Sequence, residues 1–173
     1  MALFSDKNII QTRVCQTNVV TAWSSGNQNW SEARSEWRVN ITPHSTSSLI
    51  LLRYFIPINQ YSGGANNIFG FRAYKFSPSA TEALSGYGQS SGSRMRTAGW
   101  NARAQNGYDW NDMNMESFTT YDLPNTTSQC TYGFQVYREN SDAGSIYIGY
   151  TQGNNSTWGM TGRVVIVAEE HEV

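Results

Sequence analysis

The sequence predicts an all-β protein, a jelly-roll-type sandwich of two sheets with about eight strands and one long inserted loop. Apolar and polar residues alternate with a period of two through most of the chain, as they do in strands with one buried face. Aromatic residues make up 13% of the chain, and Gly, Ser, Asn and Thr are abundant, a composition that favours strands joined by many turns. No segment has the period of an amphipathic helix.

The alternation identifies the individual strands. The first of them, 9–15, is expected to continue at 19–23 after a short break. Trp37, Val39 and Ile41 are expected to share a buried face, since they are spaced two residues apart. The almost continuously apolar segment 49–56 is expected to be buried on much of both faces. The predicted strand segments are 9–15 continued by 19–23, 36–41, 49–56, 68–76, 115–123, 130–138, 146–150 and 163–168.

The polar stretch Asp-Leu-Pro-Asn-Thr-Thr-Ser at 122–128 predicts a stiff turn between two of these strands. Pro124 cannot donate a backbone hydrogen bond to a neighbouring strand, so the strand before it must stop or lie at a sheet edge. The polar side chains that follow it can bond their own backbone and hold the turn. The alternation then restarts, with Tyr132, Phe134 and Val136 expected on one face.

Length and charge limit the function classes. A chain of 173 residues is expected to form one domain, 1–173, with a core that needs neither metal nor disulfide. The net charge of −1 argues against binding nucleic acid through its phosphates. The apolar stretch 49–58 contains Arg53 and is too short to span a bilayer, and no secretion signal is visible, so we expect a soluble protein made in the cytoplasm. Cys15 and Cys130 are accordingly expected to be reduced.

The segment 77–112 breaks the regular pattern because it shows no strand period. It is about three times as long as the longest loops that are common in compact domains. Its aromatic and arginine content is unlike that of a linker and typical of protein interfaces. We therefore expect it to contact a partner, and the alternative, that it folds over its own sandwich, stays open. The expected contact residues are Tyr87, Arg94, Met95, Arg96, Trp100, Arg103, Tyr108 and Trp110.

The sequence offers no recognisable catalytic or metal-binding motif, so we expect a protein without enzymatic activity and without a cofactor. The stretch 109–116 carries several oxygen donors. It does not match the EF-hand pattern, because Met113 occupies a position at which that pattern has a calcium ligand. A pair of acidic residues among Asp109, Asp112 and Glu116 stays open as a glycosidase alternative. Trp158 could stack on a sugar ring, and packing against the edge of the sandwich accounts for it equally well.

Three stretches resemble a β-sandwich module of structural proteins in tailed phages, especially phages of cyanobacteria and other aquatic bacteria. The first is WRVNITPHSTSSLILL at 37–52, in which a Thr-Pro turn precedes an apolar strand. The second, at 121–150, contains the polar turn followed by a Thr-Tyr strand, and the third is GRVVIVAEE at 162–170. The resemblance covers about half of the chain, in matching order, and does not extend to the segment 77–112.

The resemblance implies a non-enzymatic virion protein, assembled in the host bacterial cytoplasm. Such modules occur in capsid cement (decoration) proteins, head fibres and tail-fibre tips, and they are commonly trimers. The expected partners are therefore further copies of the chain in a homotrimer and the major capsid protein or another virion protein. Because the first strand starts near residue 9, leaving little room for a shaft, we expect a cement protein rather than a fibre. The alternative is a receptor-binding tip that attaches to host surface glycan, and a glycan-cleaving enzyme on the same sandwich is a third possibility.

Overall fold

The computed structural model describes seven stretches of the chain, and all structural statements refer to them. These stretches are 8–23, 29–60, 67–82, 97–103, 113–138, 145–151 and 161–172.

Eleven strands are formed within the described residues. Their order follows the predicted segments, with the strand ends shifted by a few residues. The strands are β1 (Ile9–Thr17), β2 (Thr21–Trp23), β3 (Val39–Ile41), β4 (Leu49–Gln60), β5 (Asn67–Ser77), β6 (Thr81–Glu82), β7 (Gly99–Arg103), β8 (Asn114–Asp122), β9 (Cys130–Arg138), β10 (Ile146–Ile148) and β11 (Val164–His171).

The strands form two antiparallel sheets of six and five strands. In the six-stranded sheet, β4 pairs with β8 on one side and with β11 and then β10 on the other, and β1 and β2 lie outside β11 and β10. In the five-stranded sheet the order is β3-β9-β5, and both β6 and β7 pair with β5. Each sheet thus interleaves early and late strands (β1-β11-β4-β8 and β3-β9-β5-β7). This interleaving is the jelly-roll arrangement that the sequence predicted, and it is confirmed.

The core lies between the two sheets, and Tyr54 of β4 is at its centre. The Tyr54 ring stacks on Phe118 at a centroid distance of 4.6 Å and meets Phe134 edge-on at 6.4 Å. Its hydroxyl donates a 3.0 Å hydrogen bond to the Gly133 carbonyl in the opposite sheet. A side chain at Gly133 would have no room, because a Cβ there would lie 2.9 Å from the Trp37 carbonyl oxygen. Tyr54 therefore fixes the spacing of the two sheets at this point.

The face assignments made from the sequence are confirmed. Trp37, Val39 and Ile41 are all buried, and so are Tyr132, Phe134 and Val136. Only part of the segment 36–41 is a strand, however, because pairing with β9 begins at Val39.

The turn after β8 has the predicted construction. β8 ends at Asp122, two residues before Pro124. Asn125 has a φ of 51°, a left-handed conformation that asparagine tolerates better than most residues. Its side-chain amide donates to the Leu123 carbonyl at 3.0 Å, and the Thr126 hydroxyl accepts from the Ser128 amide at 3.1 Å. The turn is held by its own side chains.

The segment 77–112 is more structured than the sequence pattern indicated. It contains β6 and β7, which pair in antiparallel fashion with β5. The expectation of a segment without strands is therefore wrong at Thr81–Glu82 and Gly99–Arg103, because pairing with an existing strand stabilises extended structure in stretches too short to show a clear period in the sequence. Residues 83–96 and 104–112 lie outside the described residues.

Candidate functional site

Most of the predicted contact residues cannot be placed. Trp100 and Arg103 lie on β7, where Trp100 is the register partner of Gly70 and Arg103 that of Asn67. Their role in binding a partner stays a prediction. The other candidates fall outside the described residues, namely Tyr87, Arg94, Met95, Arg96, Tyr108, Trp110 and Trp158.

Of the three carboxylates considered for glycoside hydrolysis, the structure describes only one. Asp109 and Asp112 fall outside the described residues, whereas Glu116 lies on β8, opposite Ile56 of β4. The role of these carboxylates stays a prediction. Cys15 and Cys130 are both free, and burial raises the pKa of each thiol.

A group of polar side chains gathers around the buried Glu170 at one end of the sandwich. The Ser48 hydroxyl donates to the Glu170 carboxylate at 2.5 Å, the His44 backbone amide at 2.7 Å and the Gln11 side-chain amide at 2.6 Å. The ring nitrogen Nδ1 of His44 lies 2.9 Å from the same carboxylate. Through Glu170, strand β11 thus holds both β1 and the turn at 42–48.

The hydrogen bonds around Glu170 favour its charged form. Burial alone would raise the pKa of this carboxyl, but the bonds from Ser48, His44 and Gln11 outweigh burial and lower the pKa to about 2. A carboxylate saturated with donors and closed off from solvent is suited to anchoring backbone segments.

A second buried polar group crosses the core between the two sheets. Lys75 of β5 donates to the Asp122 carboxylate at 2.9 Å, and the Tyr132 hydroxyl of β9 donates to the same oxygen, Oδ2, at 2.8 Å. Lys75 is 7% exposed, and Asp122 and Tyr132 are fully buried. Burial raises the pKa of Tyr132, and the charge of Asp122 raises it further, so the phenol keeps its proton.

The outer side of the five-stranded sheet carries an arginine–aromatic face. The Arg72 guanidinium lies 4.5 Å from the centre of the Trp30 ring and donates twice to the Gln135 side chain, at 2.6 and 2.9 Å. The Arg38 guanidinium lies 3.9 Å from the centre of the Phe76 ring and forms two bonds of 2.6 Å with Glu32. This face consists of Trp30, Arg38, Arg72, Tyr74, Phe76 and Tyr137.

The outer side of the six-stranded sheet is apolar over several adjacent strands. Val14 of β1 is 55% exposed, Phe55 of β4 39% and Met115 of β8 58%. In register between them lie Val165 and Val167 of β11, which are half-buried. We call these five residues the apolar sheet face. Exposed apolar surface that continues across neighbouring strands is typical of a protein contact.

An ion pair adjoins the apolar sheet face. The Arg53 guanidinium lies 2.9 to 3.1 Å from the Glu169 carboxylate, and Arg53 is the register partner of Val167. Glu169 is nearly buried while Arg53 is partly exposed. The pair therefore offers a polar contact beside the apolar residues, as in the mixed surfaces of protein interfaces.

The described residues show no features of a metal centre or of a membrane-spanning helix. Among them, no three His, Cys, Asp or Glu side chains gather where they could hold a metal ion. Nor does the described part of the chain include a helix with the length and hydropathy to cross a bilayer. The scan against protein-family models and the search of curated proteins both returned no match to this chain.

Proposed function

We propose that this chain is a non-enzymatic structural protein of a tailed-phage virion, a homotrimeric cement protein that decorates and stabilises the head shell. The observation that carries the proposal is the apolar sheet face. Val14, Phe55 and Met115 stand exposed on three different strands, where burial in an interface would stabilise an assembly. In a ring of three copies each subunit makes the same contacts, so that no apolar face is left unpaired.

The resemblance to phage modules supports the same proposal. Its three stretches fall on the scaffold of the sandwich: β3 with the start of β4, the end of β8 through β10, and β11. They carry the polar turn and the acidic residues that anchor the sheets, which are architectural roles. The proposal therefore assigns binding to surfaces of the sandwich.

The apolar sheet face can be tested with a matched pair of substitutions. Phe55→Glu places a charge on this face, and we expect it to convert the trimer into monomers while the domain stays folded. Leu123→Glu is the control, since Leu123 is also 39% exposed but lies in the turn after β8. Light scattering at micromolar concentration gives the oligomeric state, and circular dichroism checks the fold. Wild-type protein that is monomeric, or a trimer that survives Phe55→Glu, would contradict the proposed interface.

The arginine–aromatic face favours a second candidate, a receptor-binding tip that attaches to host surface glycan. Arginine and aromatic side chains are common at recognition surfaces, and here they are held in place by mutual contacts. The two candidates differ in what a substitution on each face does to the phage. A cement protein predicts that Phe55→Glu gives capsids that lose decoration and stability but still adsorb to cells, whereas a receptor-binding tip predicts that Arg72→Glu, on the arginine–aromatic face, gives normal capsids and lost adsorption.

A further inference from the structure

Lys75 occupies a position that the pattern of β5 reserves for the core. Phe69, Phe71 and Ala73 precede it at intervals of two and are all buried, so Lys75 points into the sandwich. Lysine is almost never buried unless it is paired. Here its partner is Asp122, which lies in the other sheet and follows the buried Phe118 and Thr120 with the same spacing. The two reactive groups of the pair are thus held against each other inside the core.

The surroundings of Lys75 and Asp122 do little to stabilise the two charges. Both groups have lost nearly all their contact with water, and one carboxylate oxygen, Oδ1 of Asp122, has no hydrogen-bond partner among the described residues. The desolvation of two buried charges opposes their mutual attraction. A change that removes both charges without unpacking the core would therefore be favoured.

We propose that Lys75 and Asp122 condense into an intramolecular isopeptide bond, which joins the two sheets covalently. The Lys75 nitrogen lies 2.9 Å from the Asp122 carboxylate. Groups held in contact by a folded core react as though present at very high concentration. The inference rests on this buried pair alone and is independent of the proposed virion function.

The reaction needs no other reagent. One proton passes from the Lys75 ammonium to the Asp122 carboxylate, giving a neutral amine and a carboxylic acid. The Lys75 Nζ lone pair then attacks Cγ of Asp122, forming the C–N bond. The bond between Cγ and Oδ2 breaks, and Oδ2 leaves as water with the two hydrogens that Nζ has given up. The product is a neutral secondary amide, so atoms and charge balance without an oxidant or cofactor.

Tyr132 is placed to assist the departure of Oδ2. Its hydroxyl donates to that oxygen at 2.8 Å, where negative charge develops as the C–O bond breaks. Because Tyr132 is the register partner of Lys75 on the adjacent strand, the amine and the phenol approach the carboxyl from the same sheet. The phenol keeps its proton, as its raised pKa requires, and it is unchanged at the end of the reaction.

The mass of the intact, denatured full-length chain tests the proposal. We expect a mass lower than that of the sequence by one water. Trypsin should fail to cut after Lys75 and should release a branched peptide that joins the Lys75 segment to the Asp122 segment. A folded protein whose mass equals that of the sequence after prolonged incubation overturns the proposal. A water loss with a linear Lys75 peptide also overturns it, because it would indicate a succinimide at Asp122.

Two variants separate this bond from other causes of water loss. The double variant Lys75→Met/Asp122→Leu replaces the pair by apolar residues of similar size and is expected to fold with the full mass of its own sequence. Tyr132→Phe keeps both reacting groups, and we expect its cross-linked fraction to rise more slowly after refolding. If the double variant loses water as well, or if Tyr132→Phe cross-links at the wild-type rate, the assigned site or the assigned role of Tyr132 is wrong.

Discussion

Replacing Tyr54 by alanine is expected to lower the free energy of unfolding by about 3–5 kcal/mol, a large part of the stability of a domain this size. The side chain is fully buried, and its removal would leave a cavity between Phe118 and Phe134 that the two sheets cannot close. Urea denaturation followed by tryptophan fluorescence measures the loss. The variant should unfold at a much lower urea concentration than the wild type.

Tyr54→Phe is the matched control because it removes only the hydroxyl. The hydrogen bond from Tyr54 to the Gly133 carbonyl is lost, and the expected cost is about 1 kcal/mol. An alanine variant no less stable than the phenylalanine variant would contradict the central position of Tyr54 in the core.

Acidification is expected to destabilise the domain through Glu170. Its pKa is lowered to about 2 in the folded protein, against 4.5 as its ordinary value. A lowered carboxyl pKa stabilises the folded state above the ordinary pKa, and that contribution is lost as the pH falls from about 4.5 towards 2. Over this window the loss attributable to Glu170 is about 3 kcal/mol. Urea denaturation at pH values of about 6, 4 and 2.5, which extend from above the window to near its lower end, measures this loss.

Glu170→Gln isolates this contribution from that of the other carboxyl groups. The variant should be less stable than the wild type at pH 6, and the difference should shrink as the pH approaches about 2. Glu172→Gln, which removes an exposed carboxylate two residues further along, should have the same free energy of unfolding as the wild type at each pH. A difference between Glu170→Gln and wild type that does not change with pH would show that the hydrogen bonds around Glu170 do not depend on its charge.

The strands that the sequence predicted best are those with one face in the core. In β9, for example, the alternation from Tyr132 to Val136 is visible because the two faces of the strand meet different environments. β7 was not found in this way, since its five residues, Gly-Trp-Asn-Ala-Arg, are too few for their alternation to stand out, and among the described strands it pairs only with β5. The polar turn was predictable because its side chains satisfy its own backbone, independently of the rest of the fold.

Pro57 shows why strand ends are hard to predict. Proline suggests that β4 stops at residue 56, yet the strand continues to Gln60. β11 pairs with β4 as far as Phe55, and β10 begins pairing at Ile58. Pro57 therefore sits where one neighbouring strand replaces another, and its carbonyl accepts from the Gly149 amide at 2.8 Å. The missing N–H is tolerated there because of the arrangement of two distant strands.

The surfaces proposed for binding were not visible in the sequence. Trp30 and Arg72 are far apart in the chain and meet only in the folded protein. Val14 and Phe55 are brought to the same face of one sheet only because β11 pairs with both of their strands. The position of Lys75 differs from these surfaces, because the pattern of its own strand already carries the signal. Its spacing from Phe69 and Phe71 marks a charged residue at a core position, and such a conflict between pattern and residue type often indicates a special site.

The abundance of the chain in purified virions tests the proposed function most directly. Quantitative mass spectrometry of particles of the phage that this proposal expects to encode the chain gives the molar ratio of the chain to the major capsid protein. A trimeric cement protein on the head shell predicts a ratio of the same order as one copy per capsid subunit, and detachment of the chain should make the heads less stable. A ratio as low as that of tail-fibre proteins, or absence of the chain from the particle, would contradict the cement-protein account.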